Sequence, residues 1–201
     1  MKANKDKVYL GRQPIFDRQQ NLVAYELLYR SGDVAEARVT NDAAATAEVI
    51  RRSFKRFGIE TVLGDCAGFF NVDAEMLFSR RIDALPTARV VLELLETVVI
   101  TPALVARCRE LKERGFRLAL DDFSAYHDCY EPLLEIVDII KIDLPLLDQA
   151  ALATLVRRLK PYPGKLLAEK VETWARVNEC MALGFEFFQG FVLARPSVLI
   201  S

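Results

Sequence analysis

Histidine is nearly absent from this chain of 201 residues. His127 stands alone, so a His-based catalytic triad and a multi-histidine metal site are both excluded. Cysteine is scarce and badly spaced: Cys66, Cys108, Cys129 and Cys180 lie 42, 21 and 51 residues apart, which fits neither a zinc site nor a CxxC redox pair. Cys108 and Cys180 fall on the apolar sides of predicted helices and read as buried free thiols. No apolar run approaches the ~18 residues needed for a membrane span, and no basic segment precedes an apolar one at the N-terminus. No charge excess exists either. Twenty-seven basic residues face 28 acidic ones, for a formal net charge of −1, so bulk charge attracts neither a nucleic-acid polymer nor an acidic membrane. A cytoplasmic location is expected.

Hydrophobic residues, by contrast, make up 52% of the sequence, enough to bury a core as one domain. Residues 1–7 are polar and expected to be disordered, and residues 8–201 are expected to form a single domain. Apolar strand-like runs occur at Val8–Ile15, Leu22–Leu28, Gly68–Asp73, Val90–Leu95, Arg117–Phe123, Val137–Asp143, Lys165–Val171 and Phe187–Leu193. The five residues Asp17–Asn21 are too few for a helical crossover, so the first two strands should be antiparallel. Helical patterns separate the later runs. Asn41 or Asp42 caps one that continues through Phe57 to Gly58. Thr101 and Pro102 open another that Gly115 ends, and Asp148 caps a third carrying Leu152, Leu155, Val156 and Leu159. Thr173 caps a fourth, with Trp174, Val177 and Met181 inward and Gly184 as its stop. Strands alternating with helices after an initial antiparallel pair indicate an α/β fold, a TIM-like (β/α)8 barrel with one antiparallel strand.

What interrupts the apolar runs carries the chemistry. Glu26, Asn71, Glu93, Asp121 with Asp122, Lys141, Glu169 and Gln189 fall in or at the ends of seven successive strands. Any one of them has a structural explanation: Asp121-Asp122 can start a loop, and Lys141 with Glu169 can form an isolated ion pair. In a parallel barrel, however, such positions converge on one rim. Five carboxylates gathered there repel one another unless cations compensate them. Acidic oxygens with one amide oxygen suit two hard divalent ions, magnesium or manganese. Two such ions promote phosphoryl displacement by water, and Lys141 could orient that water or offset charge on the phosphate.

The order of these residues resembles an EAL domain, a family of cyclic-di-GMP phosphodiesterases, from Gln13-Pro14-Ile15 to Pro196. Glu26-Leu27-Leu28-Tyr29-Arg30 is similar to EALxR, Asn71 to the asparagine of NxS and Glu93-Leu94-Leu95-Glu96 to ExTE. Asp121-Asp122-Phe123 resembles DDFG, Lys141-Ile142-Asp143 matches KID, Glu169-Lys170-Val171-Glu172 resembles AEGVE and Gln189-Gly190-Phe191 resembles QGY. The resemblance implies the EAL fold and a two-metal site: Glu26, Asn71, Glu93 and Asp121 for one ion, and Asp121, Asp122 and Glu169 for the other. It implies catalytic roles for Lys141, Glu169 and Glu96, and substrate contacts from Arg30, Gln13 and Gln189, the guanidinium suiting a phosphate. The implied reaction opens cyclic di-GMP to linear pGpG, and the implied assembly is a homodimer.

The departures are specific. Leu27 replaces the alanine of EAL, Leu95 the threonine of ExTE and Lys170 the glycine of AEGVE. The family's loop GTGYSS is here Ser124-Ala-Tyr-His-Asp-Cys129, and the usual FIPLAE helix before Asn71 is missing. These features are similar to the EAL half of two-domain EAL–HDOD signalling proteins, which implies a C-terminal HDOD domain outside this chain. Three readings follow: a metal-dependent phosphodiesterase, an inactive EAL domain that senses cyclic di-GMP, and a protein-interaction module.

Overall fold

A computed structural model of the chain describes residues 9–29 and 57–200. The helix expected between Asn41 and Phe57 therefore lies outside the described residues, apart from its end, and so does Arg30.

The predicted barrel is present. Strands β1 (Tyr9–Asp17), β2 (Leu22–Tyr29), β3 (Ala67–Val72), β4 (Val90–Leu94), β5 (Arg117–Leu120), β6 (Ile139–Asp143), β7 (Lys165–Glu169) and β8 (Phe187–Phe188) pair in chain order. From β2 to β8 every pairing is parallel. β1 closes the ring, antiparallel to both β2 and β8. The four-residue turn between β1 and β2 is fastened by Asp17, whose Oδ1 accepts from the backbone N–H groups of Gln19 and Asn21.

Two apolar layers hold the barrel. Inside it, Ile15, Ala24, Phe69, Val91, Ala119, Ile139 and Leu167 pack as one cluster with Phe187 against it, one residue from each strand. Outside it, a larger cluster lies between the strands and the helices. Side chains alternate along a strand, so the residues two positions from the inner cluster face the interior as well. Those residues are Gln13, Glu26, Asn71, Glu93, Asp121, Lys141, Glu169 and Gln189. The interior thus changes from apolar to polar within one step along each strand.

The helices start where the sequence says they should. The caps of α3 (Pro102–Glu113), α5 (Gln149–Leu159) and α6 (Trp174–Leu183) are Thr101, Asp148 and Thr173, each accepting from a backbone N–H two to three residues into the helix. α1 (Ile59–Leu63) and α2 (Ala74–Phe78) are short. Cys108 and Cys180 are fully buried, and desolvation pushes their thiols up to about 11 and about 12.

Several expectations need correction. Trp174, the first residue after the Thr173 cap, does not point inward but is 47% exposed. The segment around Pro132 contains a short helix, α4 (Glu131–Leu134), with proline in its first turn. A ninth strand, β9 (Ser197–Ile200), runs antiparallel to the first half of β1. The fifth, seventh and eighth strands end earlier than their apolar runs suggested, at Leu120, Glu169 and Phe188. Asp122 and Lys170 take the left-handed backbone, at φ 44° and 53°, which ends an extended strand.

Candidate functional site

The polar interior layer builds a cluster around one ammonium. Lys141, on β6 and 1% exposed, donates to Asp121 Oδ1 at 2.7 Å and to Glu93 Oε1. Its Nζ lies 2.9 Å from Glu169 Oε1 and 4.0 Å from Glu26 Oε1. Four carboxylates from four strands therefore face a single lysine. Glu26 is held from its other side by Gln189, whose Nε2 donates to Glu26 Oε2 at 2.6 Å. Gln13 is Glu26's cross-strand partner in the β1–β2 register, and Asn71 is that of Glu93 in the β3–β4 register.

Gly190 makes the Gln189 placement feasible. A Cβ there would overlap the backbone N, C and O of Val171, and that close approach carries the Val171 N–H to Gln189 O bond at 3.0 Å. Only glycine allows it.

One lysine does not neutralise four carboxylates, and the electrostatics show the strain. Burial first, and then the charges of Glu169, Glu26, Asp122 and Glu96, push Asp121 up to about 9. Burial also pushes Glu169 up, to about 6, with Lys141 opposing and Glu26 adding to the rise. Asn71 Oδ1, Glu93 Oε2, Glu169 Oε2 and Gln189 Oε1 are buried and have no hydrogen-bond donor among the described residues. Buried acceptors of this kind are normally satisfied. Oxygen atoms that can only accept, gathered around excess negative charge, fit a hard divalent cation.

Two sets of three carboxylates meet that description geometrically. Ligand-type oxygens of Glu93, Asp121 and Glu169 lie within 4.8 Å of one another, and so do those of Glu96, Asp121 and Asp122. Asp121 belongs to both. The structure thus brings Glu26, Glu93, Asp121, Lys141, Glu169 and Gln189 into direct contact, with Asn71 beside them. Asp122 and Glu96 stand at the rim, more exposed.

Asp122 is engaged by Lys170, the residue in place of the glycine of AEGVE, whose cation was expected near Glu169 and pairs with Asp122 and Asp143 instead. Lys170 Nζ lies 3.1 Å from Asp122 Oδ1 and 2.6 Å from Asp143 Oδ2. Burial alone would lower the Lys170 ammonium, but its hydrogen bonds to Asp143 and Asp122 outweigh that and raise it. Asp143 had a signal in the sequence: it is two positions beyond Lys141, so it shares the inward face. The replaced loop is fastened elsewhere. Tyr126 Oη is 2.7 Å from both Tyr162 Oη and Glu131 Oε1, and Arg158 lies over its ring at 4.1 Å. Phe123 is buried and packs edge-on against Tyr130.

Known proteins share this arrangement of sequence. The family described as EAL domain matches residues 2–196. The uncharacterized protein YuxH of Bacillus subtilis is 36% identical over 197 residues, which are 96% of this chain and 48% of that protein. CdgJ of Vibrio cholerae, named a cyclic di-GMP phosphodiesterase, is 34% identical over 194 residues, or 95% of this chain and 45% of its own length. Among solved structures, the Bacillus subtilis YkuI protein, with an EAL domain and in complex with substrate c-di-GMP and calcium, superposes with a TM-score of 0.75 at 23% identity. That match covers 96% of this chain and 55% of YkuI. The chain spans about half the length of the curated relatives it matches. With the fold, the rim carboxylates and the match over residues 2–196 in agreement, the chain belongs to the EAL domain family.

Proposed function

We propose that the rim cluster is a divalent-metal-dependent site for cyclic di-GMP, and that the chain opens this nucleotide to linear pGpG. The observation that carries the proposal is the set of buried oxygens without donors among the described residues, on Asn71, Glu93 and Glu169, in the same interior layer as the crowded carboxylate of Asp121. The name of CdgJ and the c-di-GMP and calcium in the YkuI complex support the choice of nucleotide and ion class.

Glu26, Asn71, Glu93, Asp121 and Glu169 would hold magnesium or manganese, with Asp122 at the rim. When bound, such an ion supplies Lewis acidity, lowering the pKa of water and offsetting phosphate charge. Lys141 fixes the Asp121 and Glu169 carboxylates through its Nζ contacts and adds a positive charge beside the phosphate. Gln189 holds Glu26 in place and, with Gln13, lines the side of the interior where β1 closes the barrel. Arg30, outside the described residues, is assigned a phosphate oxygen, which its guanidinium suits. Glu96 supports the rim around Asp121 and Asp122. In the reaction the oxygen of water bonds to phosphorus, the P–O3′ bond breaks, and the proton released by water ends on the 3′ oxygen. The resemblance to EAL–HDOD proteins extends the proposal to an HDOD domain and a homodimer in the complete protein.

The test is chromatography of cyclic di-GMP incubated with the chain and magnesium or manganese. Formation of pGpG that is lost in Glu93→Gln is expected. Nucleotide binding without any pGpG would favour the second reading, a sensor that binds and does not cleave. The Lys170 contacts to Asp122 and Asp143 speak for that reading.

A further inference from the structure

The two carboxylate triads that share Asp121 are not equivalent. The inner one, Glu93, Asp121 and Glu169, shares the single Lys141 ammonium with Glu26, four carboxylates to one cation, and even so keeps the buried oxygens Glu93 Oε2 and Glu169 Oε2 without a donor among the described residues. The outer one, Glu96, Asp121 and Asp122, already has a cation: Lys170 Nζ is 3.1 Å from Asp122 Oδ1.

The position of that cation is fixed from two directions. Lys170 follows the last residue of β7 and holds the left-handed backbone at φ 53°, while Asp122, just past β5, holds it at φ 44°. Their side chains meet across the end of β6, which lies between β5 and β7. The same ammonium is 2.6 Å from Asp143 Oδ2. Asp143 is buried, its other oxygen has no donor, and Lys170 is the cation paired with it among the described residues. An exposed ion pair gives way easily, but withdrawing Lys170 would strand a buried carboxylate, which is strongly unfavourable.

We propose that the Lys170 ammonium takes the place of a second divalent ion, so that the chain binds one such ion, on the inner triad, rather than two. This rests on the metal-dependent reading of the site. A divalent ion on the Asp122 carboxylate would lie about 5 Å from a held positive charge. At that range repulsion weakens its binding on the order of tenfold even with the screening of bulk water. The chain thereby carries part of its own metal charge as a side chain.

Metal stoichiometry tests this without reference to turnover. Protein stripped with chelator is titrated with manganese(II), followed by calorimetry and by electron paramagnetic resonance of the free ion. The wild-type chain should bind one ion. Lys170→Gly and Lys170→Asn should bind two, the second at least about tenfold more tightly than any second ion on the wild type. Glycine and asparagine both tolerate the left-handed backbone, so either variant keeps the loop. Two ions of similar affinity on the wild-type chain would overturn the proposal and leave the metal site standing. One ion on all three proteins would overturn it too, since something other than Lys170 would then set the count. No ion on any of them would remove the metal-dependent reading itself.

Discussion

Removing the Lys141 ammonium exposes how much of the barrel's stability depends on it. Lys141→Met keeps the length and apolar stem of the side chain and deletes the charge that faces Glu93, Asp121, Glu169 and Glu26. Deleting one partner of a buried ion pair costs about 3–5 kcal/mol, because the other charge stays buried. For a domain of this size that is a fall in Tm of about 6–20 °C. The pH dependence has a definite sign. Asp121 and Glu169 have folded pKa values of about 9 and about 6, above their usual 3.8 and 4.5. A raised carboxyl pKa contributes stability that is fully present below the unfolded value and is lost as pH rises through the folded one. Metal-free protein should therefore lose stability between about pH 4 and 9, and Lys141→Met should steepen that loss by raising both values further. The assay is urea unfolding followed by circular dichroism in chelator, at pH 5 and pH 8, with and without manganese. The expected pattern is a large cost at pH 8, a smaller one at pH 5 and partial rescue by the metal. A cost under about 1 kcal/mol at pH 8, or the same cost at both pH values, would refute this electrostatic picture of the cluster.

Two further substitutions probe the same rim. Asp121→Asn removes the carboxyl that burial and its acidic neighbours disfavour most. In metal-free protein at pH 9 it should raise stability by on the order of 1 kcal/mol while abolishing metal-dependent nucleotide binding, measured by thermal unfolding and calorimetry. A loss of stability instead would mark Asp121 as part of a structural ion-pair network. Gly190→Ala places a Cβ against the Val171 backbone. It should cost about 3 kcal/mol and release Gln189 from Glu26, so nucleotide affinity should drop along with Tm. An alanine variant with wild-type Tm would contradict the close approach.

Much of this is legible in the sequence because one strand period serves both layers. Ala24 with Glu26, Val91 with Glu93, Ile139 with Lys141 and Leu167 with Glu169 are the same inward face read two residues apart. The hydrophobic pattern that gives the barrel therefore also aims the polar residues at its interior. Helix starts were legible for a local reason: Thr101, Asp148 and Thr173 each cap through their own side chain. What was hidden depends on contacts between distant segments. Trp174 follows a helical apolar pattern yet sits where no layer covers it. Ser197–Ile200 is too short to be read as a strand without the β1 edge it pairs with. The Lys170 contacts require the ends of β5, β6 and β7 to converge, and its left-handed backbone has no signature in a lysine.

The central claim is that a divalent ion on these carboxylates is what binds the nucleotide. The most direct measurement is isothermal titration of cyclic di-GMP into the chain with calcium, repeated with chelator and with Glu93→Gln. Tight binding that needs calcium and disappears in both controls is the expected result. No binding with calcium at high protein concentration, or equal binding in chelator, would contradict it.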